Sequence, residues 1–204
     1  KRNNVFNGTH VITASGTGSR FKKEHYIRPK VFTKFRGMSL LKHSIKSIKP
    51  SNNIITLLTN DAQRYESGCK DLGKIVLLDE PTRGQLLTLK QAVNHVKHST
   101  SLIVSSADYI FDIDMEKLKQ LIHLKHPDIV IFTTRWTNHS HADLQNYGFL
   151  DVDSNGRIVN IIEKQKLLSN PSMIDNLLMG TFWFKSKSVI ESIQPVESMG
   201  EYYI

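Results

Sequence analysis

The chain has 204 residues, of which 39% are hydrophobic and 23% are charged, a composition typical of a globular domain with a buried core. Its net charge of +8 favours anionic partners, but Lys and Arg form no run of five or more, and no nucleic-acid-binding motif accompanies them. Its apolar runs are too short to cross a bilayer, and a single cysteine, Cys69, excludes an intrachain disulfide. We therefore expect a cytoplasmic protein without membrane or nucleic-acid partners.

Strand-like and helix-like patterns alternate along the first 145 residues. Short β-branched apolar runs, typical of buried strands, occur at residues 11–14, 54–59, 75–78, 102–105 and 129–133. Apolar residues with helical spacing lie between these runs, at Leu41, Ile45 and Ile48, at Leu86, Leu89, Val93 and Val96, and at Met115, Leu118 and Ile122. This alternation predicts an α/β fold with a mainly parallel sheet covered by helices on both faces.

The pattern changes near residue 146. Segments 147–152 and 158–162 flank Asp153-Ser154-Asn155-Gly156, a strong turn signal that predicts a β-hairpin. Another strand is predicted at residues 178–184, where the aromatic side chains are expected in the core.

The domain organisation follows from the absence of any internal repeat or linker. We therefore predict one domain over residues 1–204, with a first part at 1–145 and a second part at 146–204. Residues 200–204 resemble the middle of an ordered segment, so we expect the native polypeptide to continue past Ile204.

A glycine-containing loop, Ser15-Gly16-Thr17-Gly18-Ser19-Arg20, follows the first predicted strand directly. Glycine permits positive φ and exposes backbone N–H groups, so this loop has the character of an anion site. Phe21 stands where a dinucleotide fingerprint needs a third glycine, and Phe21-Lys22-Lys23 excludes a Walker A loop. For the loop on its own, a plain tight turn remains the alternative.

Several further blocks accompany the loop in a particular order. Lys30 follows after nine residues, with Pro29 before it, and a turn at Gly37 precedes the first predicted helix. The later blocks lie at residues 81–85, 105–108, 147–149, 153–157, 162–164, 180–184 and 200–203. Together they resemble the sugar-phosphate nucleotidylyltransferase family, whose opening motif reads approximately Gly-Gly-x-Gly-Thr-Arg, then Pro-Lys. The resemblance covers nearly the entire chain.

This resemblance implies a three-layer α/β/α Rossmann-like fold of the nucleotide-diphospho-sugar transferase type. It also implies a Mg²⁺-dependent enzyme that joins a nucleoside triphosphate to a sugar 1-phosphate, giving a nucleotide sugar and pyrophosphate. Two alternatives stay open: a cytidylyltransferase for a non-sugar phosphate, and a non-catalytic domain that binds nucleotide or sugar phosphate within a larger protein. The oligomeric state and the base are not determined.

The resemblance also implies roles for the residues of the nucleotide part. Arg20 and Lys30 are expected to hold the triphosphate and to stabilise the charge that grows during catalysis; the alternative is two solvated surface cations. The residues expected to bind the nucleotide are Ala14, Ser15, Gly16, Thr17, Gly18 and Ser19 in the loop, with Gly84 and Gln85 at the base. For Gln85, the alternative is only the first turn of a helix.

Metal and sugar-phosphate residues are implied in the same way. Asp108 is expected to hold Mg²⁺, and its alternative is to cap the helix that begins near Asp114. The residues expected to contact the sugar and its phosphate are Gly148, Glu163, Lys164 and Gly180. For Glu163 and Lys164, the alternative is a solvent-facing strand end. Small residues replace family residues at Ser15, Ser19 and Ala107, and the family's second metal carboxylate is expected past Ile204.

Overall fold

The computed structural model describes residues 6–16, 29–48, 53–60, 73–98, 100–137, 147–162, 173–198, 201–202 and 204. The chain forms two compact units. The first consists of Lys1–Val130 and Phe182–Ile204, and the second consists of Ile131–Thr181.

The described residues form twelve strands and four α-helices. The strands are β1 (Thr9–Thr13), β2 (Lys34–Phe35), β3 (Met38–Ser39), β4 (Ile54–Thr59), β5 (Lys74–Leu78), β6 (Leu102–Ser106), β7 (Ile129–Thr137), β8 (Phe149–Val152), β9 (Ile158–Ile162), β10 (Met173–Phe184), β11 (Glu197–Ser198) and β12 (Glu201–Tyr202). The α-helices are α1 (Leu40–Ser47), α2 (Gln85–Ala92), α3 (Met115–Lys125) and α4 (Lys187–Ser192), and 3-10 helices lie at Lys30–Phe32 and Val93–His95.

The first unit contains a parallel sheet with the order β5-β4-β1-β6. Val11 of the central strand pairs with Ile55 on one side and with Val104 on the other, and all three side chains are buried. Strands buried on both faces need apolar residues at consecutive positions, which explains the continuous β-branched runs. The predicted parallel sheet is confirmed, and β10 is the next strand beyond β6.

Helices α1 and α3 of the first unit begin at side-chain caps, and α2 begins at Gly84. Ser39 Oγ accepts a hydrogen bond from the Lys42 N–H at 3.3 Å at the start of α1. Asp114 Oδ1 accepts from the Lys117 N–H at 3.1 Å at the start of α3. Such caps satisfy N–H groups that have no partner within the helix. The three helices predicted from apolar spacing are confirmed, although the one predicted over residues 86–96 ends as a 3-10 helix.

The core of the first unit anchors two backbone segments that matter for the site. Phe32, at the end of the first 3-10 helix, and Ala107, just after β6, belong to one buried cluster. The other buried members of this cluster are Ile12, Ala14, Leu41, Ile45 and Leu58. Because dense packing leaves little freedom, the backbone next to Phe32 and Ala107 is held in place.

The second unit contains the predicted β-hairpin. Strands β8 and β9 are antiparallel, and Leu150 pairs with Ile161. At the turn, Gly156 has φ 75° and its N–H donates to the Asp153 carbonyl at 2.9 Å. Asp153 Oδ1 also accepts from the Asn155 N–H at 2.8 Å. Strand β10 pairs with β8, in antiparallel orientation, and with β7.

Some features were not predicted from the sequence. Strands β2 and β3 form a short hairpin around Arg36 and Gly37, which both have positive φ. Helix α4 was not predicted, and β10 begins five residues before the predicted strand. The aromatic residues Phe182, Trp183 and Phe184 are buried, as predicted. Among the described residues, no helix has the length and apolar character needed to cross a membrane.

Candidate active site

The candidate site lies at the carboxyl edge of the parallel sheet in the first unit. Ala14, Ser15 and Gly16 follow the end of β1, and Asp108 lies two residues after β6. Gly84 and Gln85 follow β5 and begin α2. Since the carboxyl ends of parallel strands meet at one edge of a sheet, the topology brings these residues to the same edge.

Lys30 and Asp108 form an ion pair at this edge. The Lys30 ammonium donates to Oδ2 of Asp108, and the Ser106 hydroxyl donates to Oδ1 of the same carboxylate. The two charged side chains are partly exposed, Lys30 by 32% and Asp108 by 23%. Their neighbours Phe32 and Ala107 are fixed in the core, so the pair sits on rigid backbone while its charged atoms reach solvent.

The environment of Asp108 has opposing effects on its pKa. Burial favours the neutral acid and raises the pKa of the Asp108 carboxyl. The positive charge of Lys30 and the hydrogen bonds from Lys30, Ser106 and backbone N–H act against burial, and their sum holds the pKa below its ordinary value. Asp108 is therefore a carboxylate at neutral pH.

A chain of buried polar groups lies behind the ion pair. The Ser44 hydroxyl of α1 donates to the Ser106 carbonyl at 2.9 Å and lies 3.3 Å from the Ser105 hydroxyl. The Ser105 hydroxyl in turn lies 2.7 Å from Nε2 of His10, which is fully buried in β1. These groups tie β1, β6 and α1 together beneath Asp108.

No role was predicted for Ser44, Ser106 or His10. Ser106 lies within the block at residues 105–108, whereas no motif marks Ser44 or His10. The available signal was the presence of polar residues at positions that the apolar periodicity places in the core, such as Ser44 between Leu41 and Ile45.

The segment that begins α2 is held by side-chain hydrogen bonds. Gly84 has φ 102° and ψ 163°, a backbone conformation that is open essentially only to glycine. The Gln85 side-chain amide donates to Thr13 Oγ1 at 3.1 Å, at the end of β1. Gln85 is also the first residue of α2. It therefore lies in the first turn of a helix, and its side chain contacts β1 as well.

Ser15 and Gly16 are the described beginning of the predicted phosphate loop, and they differ in exposure: Ser15 is buried and Gly16 is exposed. The Ser15 side chain is buried, with its hydroxyl 3.1 Å from Thr88 Oγ1. At Gly16 the situation is the opposite, since a Cβ built there would meet no heavy atom within 4 Å. Packing within the described residues does not require glycine at this position, whereas a ligand that approaches the backbone would require it.

The other predicted site residues belong to the second unit or fall outside the described residues. Thr17, Gly18, Ser19 and Arg20 fall outside the described residues, as do Glu163 and Lys164. Gly148 and Gly180 belong to the second unit. The Gly148 carbonyl accepts from the Leu178 N–H at 2.8 Å, and Gly180 has φ 64° within β10.

Asp108 has the properties of a ligand to a hard cation. Within the described ranges, no group of three or more His, Cys, Asp or Glu side chains could hold a metal ion. A single partly exposed carboxylate suits Mg²⁺, which keeps phosphate oxygens and water as its other ligands. The alternative that Asp108 caps the helix near Asp114 is wrong, because Asp114 itself caps α3.

A family profile covers most of the chain. The profile of the family described as "MobA-like NTP transferase domain" matches residues 10–177, which include Lys30, Gly84 and Asp108. The chain belongs to this family. The predicted membership of an NTP transferase family is therefore confirmed.

Curated relatives of this NTP transferase domain include two named "Bifunctional protein GlmU". The one from Streptococcus pyogenes serotype M49 (strain NZ131) is 24% identical over 204 residues, and the one from Clostridioides difficile (strain 630) is 26% identical over 202 residues. Each alignment covers 95% of this chain and 42% of the relative. The chain thus spans about two fifths of the length of these relatives.

Solved structures resemble the fold of this NTP transferase domain. The inositol-1-phosphate CTP transferase from T. maritima superposes with a TM-score of 0.73 at 19% identity, covering 97% of this chain and 79% of that one. HddC from Yersinia pseudotuberculosis superposes with a TM-score of 0.69 at 22% identity, covering 91% of this chain and 80% of that one. The predicted fold class, a mostly parallel mixed sheet with helices, is confirmed.

Proposed function

We propose that this NTP transferase domain is a nucleotidyltransferase that joins a nucleoside triphosphate to a sugar 1-phosphate and releases pyrophosphate. The observation that carries the proposal is the Lys30–Asp108 pair at the carboxyl edge of the sheet, the edge at which the exposed Gly16 also follows β1. Support comes from the family name and from one superposing HddC structure, which has a TM-score of 0.68 and is described as complexed with GMP-PN.

The reaction needs the kind of site that these residues form. An oxygen of the sugar phosphate attacks the α-phosphorus of the triphosphate, a P–O bond forms, and the bond to pyrophosphate breaks in line. The attacking oxygen is already ionised, so no protein base is required. The main obstacle is the repulsion between two anions, which positioning and nearby positive charge overcome.

Each described group has a role in this proposal. Lys30 offers an ammonium to the phosphates, and Gly16 lets the backbone approach them closely. Asp108 would hold Mg²⁺, and the ion would supply positive charge to the phosphate oxygens. The Lys30 ammonium, which donates to Asp108 in this structure, would add a second positive charge near the phosphates.

The remaining predicted residues also have proposed roles. Thr17, Gly18, Ser19 and Arg20 are proposed to bind the triphosphate, and Gly84 and Gln85 are proposed to contact the base. Gly148, Glu163, Lys164 and Gly180 are proposed to bind the sugar phosphate, in the part of the chain after residue 145. The predicted cytoplasmic location, where nucleoside triphosphates are available, belongs to the same proposal.

One observation favours a second acceptor class. The superposing T. maritima structure is described as an inositol-1-phosphate CTP transferase, and inositol is a cyclic polyol rather than a sugar. A non-sugar phosphate with CTP is therefore the alternative pair of substrates. The test must include both acceptor classes.

The decisive experiment measures pyrophosphate release by the full-length protein with Mg²⁺, four nucleoside triphosphates, several sugar 1-phosphates and inositol 1-phosphate. We expect turnover with at least one pair. Lys30→Ala and Asp108→Asn should each lower kcat about a hundredfold. The first removes a positive charge near the reacting phosphates, and the second removes the carboxylate proposed to hold Mg²⁺.

The matched control is Asp128→Asn, which removes an exposed carboxylate paired with Lys185 and should leave kcat within about twofold. Triphosphate binding without turnover for any pair would contradict the proposal and favour a binding domain. Equal loss in the Asp108 and Asp128 variants would contradict the role given to Asp108.

A further inference from the structure

Three hydroxyl groups form a cluster between the beginning of the phosphate loop and the beginning of α2. Ser15 Oγ lies 3.1 Å from Thr88 Oγ1 and 3.3 Å from Thr82 Oγ1, and the two threonine hydroxyls are hydrogen-bonded to each other. Ser15 and Thr88 are almost fully buried. We call Ser15, Thr82 and Thr88 the hydroxyl cluster.

The cluster ends at a backbone acceptor. The Gly84 carbonyl lies 3.3 Å from Thr88 Oγ1 and 3.5 Å from Thr82 Oγ1. Because a carbonyl can only accept, the threonine hydroxyl is the donor in either contact. The three hydroxyls thereby connect Ser15 to Gly84.

This chain connects two segments that have different proposed ligands. Ser15 directly precedes Gly16, which is exposed and is proposed to approach the phosphates. Gly84 directly precedes Gln85, and its conformation at φ 102° sets the direction in which α2 starts. The hydroxyl cluster thus joins the phosphate loop to the segment at Gly84 through side chains that are 67 and 73 residues apart in sequence.

A second connection runs parallel to the first. The Gln85 amide donates to Thr13 Oγ1 at 3.1 Å, and Thr13 Oγ1 donates to the Ser105 carbonyl of β6 at 3.2 Å. Both segments are therefore tied to the end of β1. The affinity for a ligand held at its phosphates by one segment and at its base by the other would depend on the spacing of the two segments, because hydrogen bonds weaken when their distance and angle change.

We propose that Ser15, Thr82 and Thr88 are positioning residues that set the spacing between the phosphate loop and the segment at Gly84, and thereby contribute to the selection of the nucleoside triphosphate. This inference rests on the proposed function. The buried Ser15 hydroxyl acts through Thr88 and Thr82, while the backbone of the loop faces the nucleotide.

The test compares two substitutions at one position. Thr88→Val keeps the shape and removes the hydroxyl, whereas Thr88→Ser keeps the hydroxyl. Dissociation constants of ATP, CTP, GTP and UTP with Mg²⁺ are measured by calorimetry, and KM and kcat are measured with the acceptor that supports turnover. Ser15→Ala is a second variant from the other side of the cluster. Ser192→Ala is the control, because it removes an exposed serine hydroxyl that bonds within α4.

We expect Thr88→Val and Ser15→Ala to raise the dissociation constant and KM of the preferred triphosphate about fivefold, with kcat changed less than twofold. The preference is the ratio between the dissociation constant of the next-best triphosphate and that of the preferred one. This ratio should fall about threefold, because only part of the lost affinity is specific to the preferred base. Thr88→Ser should restore both values to near those of the wild type, and Ser192→Ala should leave them unchanged.

Other outcomes would overturn the proposal in distinguishable ways. A lower melting temperature with unchanged dissociation constants and unchanged preference would show that the cluster only stabilises the fold. Equal effects of Thr88→Val and Thr88→Ser would show that the hydroxyl is irrelevant. If the wild-type protein binds none of the four triphosphates, the proposed function itself fails, and this inference fails with it.

Discussion

His10 is a titratable side chain that lies fully buried in β1, next to the central apolar residues of the sheet. Its Nε2 pairs with Ser105 Oγ, and among the described residues its Nδ1 has no hydrogen-bond partner. A second proton would place a positive charge in the core. Burial accordingly lowers the pKa of His10 from 6.5 to about 3.

This pKa shift predicts a loss of stability in mild acid. Below pH 6.5 His10 binds a proton in the unfolded chain, whereas in the folded protein it stays neutral until about pH 3. Proton binding therefore favours the unfolded chain, and the free energy of unfolding falls as the pH drops below 6.5. At pH 5 this loss amounts to about 2 kcal/mol. Urea unfolding between pH 7.5 and pH 5 measures it.

His10→Gln is the variant for this measurement, because its side-chain amide reaches about as far as Nε2 and does not titrate. The fall in unfolding free energy between pH 7.5 and pH 5 should be about 2 kcal/mol smaller in this variant than in the wild type. An identical pH dependence in the two proteins would contradict the assignment of the buried neutral state to His10.

At the scale of single elements, α2 depends on the backbone of its N-terminal glycine. Gly84 has φ 102° and ψ 163°, a region that a side chain at this position makes unfavourable. Gly84→Ala should therefore lower the free energy of unfolding by about 1 to 3 kcal/mol, as measured by urea denaturation.

Gly16→Ala is the matched control for Gly84→Ala. Its φ is not in the left-handed region, and the added Cβ would meet no heavy atom of the described residues within 4 Å. It should change stability by less than about 0.5 kcal/mol but weaken triphosphate binding, because the methyl group would occupy the proposed phosphate position. Equal losses of stability in both variants would contradict this distinction.

At the scale of the whole molecule, the net charge of +8 attracts a polyanionic substrate. Salt screens this attraction, and the screening length falls from about 10 Å at 0.1 M to about 3 Å at 1 M. The dissociation constant of the preferred triphosphate should therefore rise about threefold or more between ionic strengths of roughly 0.05 M and 0.5 M.

The uncharged nucleoside with the same base is the control ligand for this measurement. Its dissociation constant should change little over the same range, because it carries no phosphate charge. A salt-independent dissociation constant for the triphosphate would show that the positive charge of the protein is too far from the site to act.

The periodicity of apolar residues was sufficient to predict most of the first unit. Continuous apolar runs are required where strands are buried on both faces, so β1, β4 and β6 were readable from local sequence. The hairpin at Asp153–Gly156 was readable for a similar reason, since its turn residues have local conformational preferences. Short elements such as β2 and β3 carry too few residues for a periodic signal.

Some features of the candidate site were also identified from the sequence, whereas others were identified only from the structure. The sequence by itself determined the family, the mostly parallel sheet and the chemical types at Lys30, Gly84 and Asp108, because order and residue type are properties of the chain. Only the tertiary structure decided that Lys30 pairs with Asp108 and that Ser15 turns inward to Thr88. Those contacts join segments that are 78 and 73 residues apart in sequence, and no local pattern encodes which side chain meets which partner.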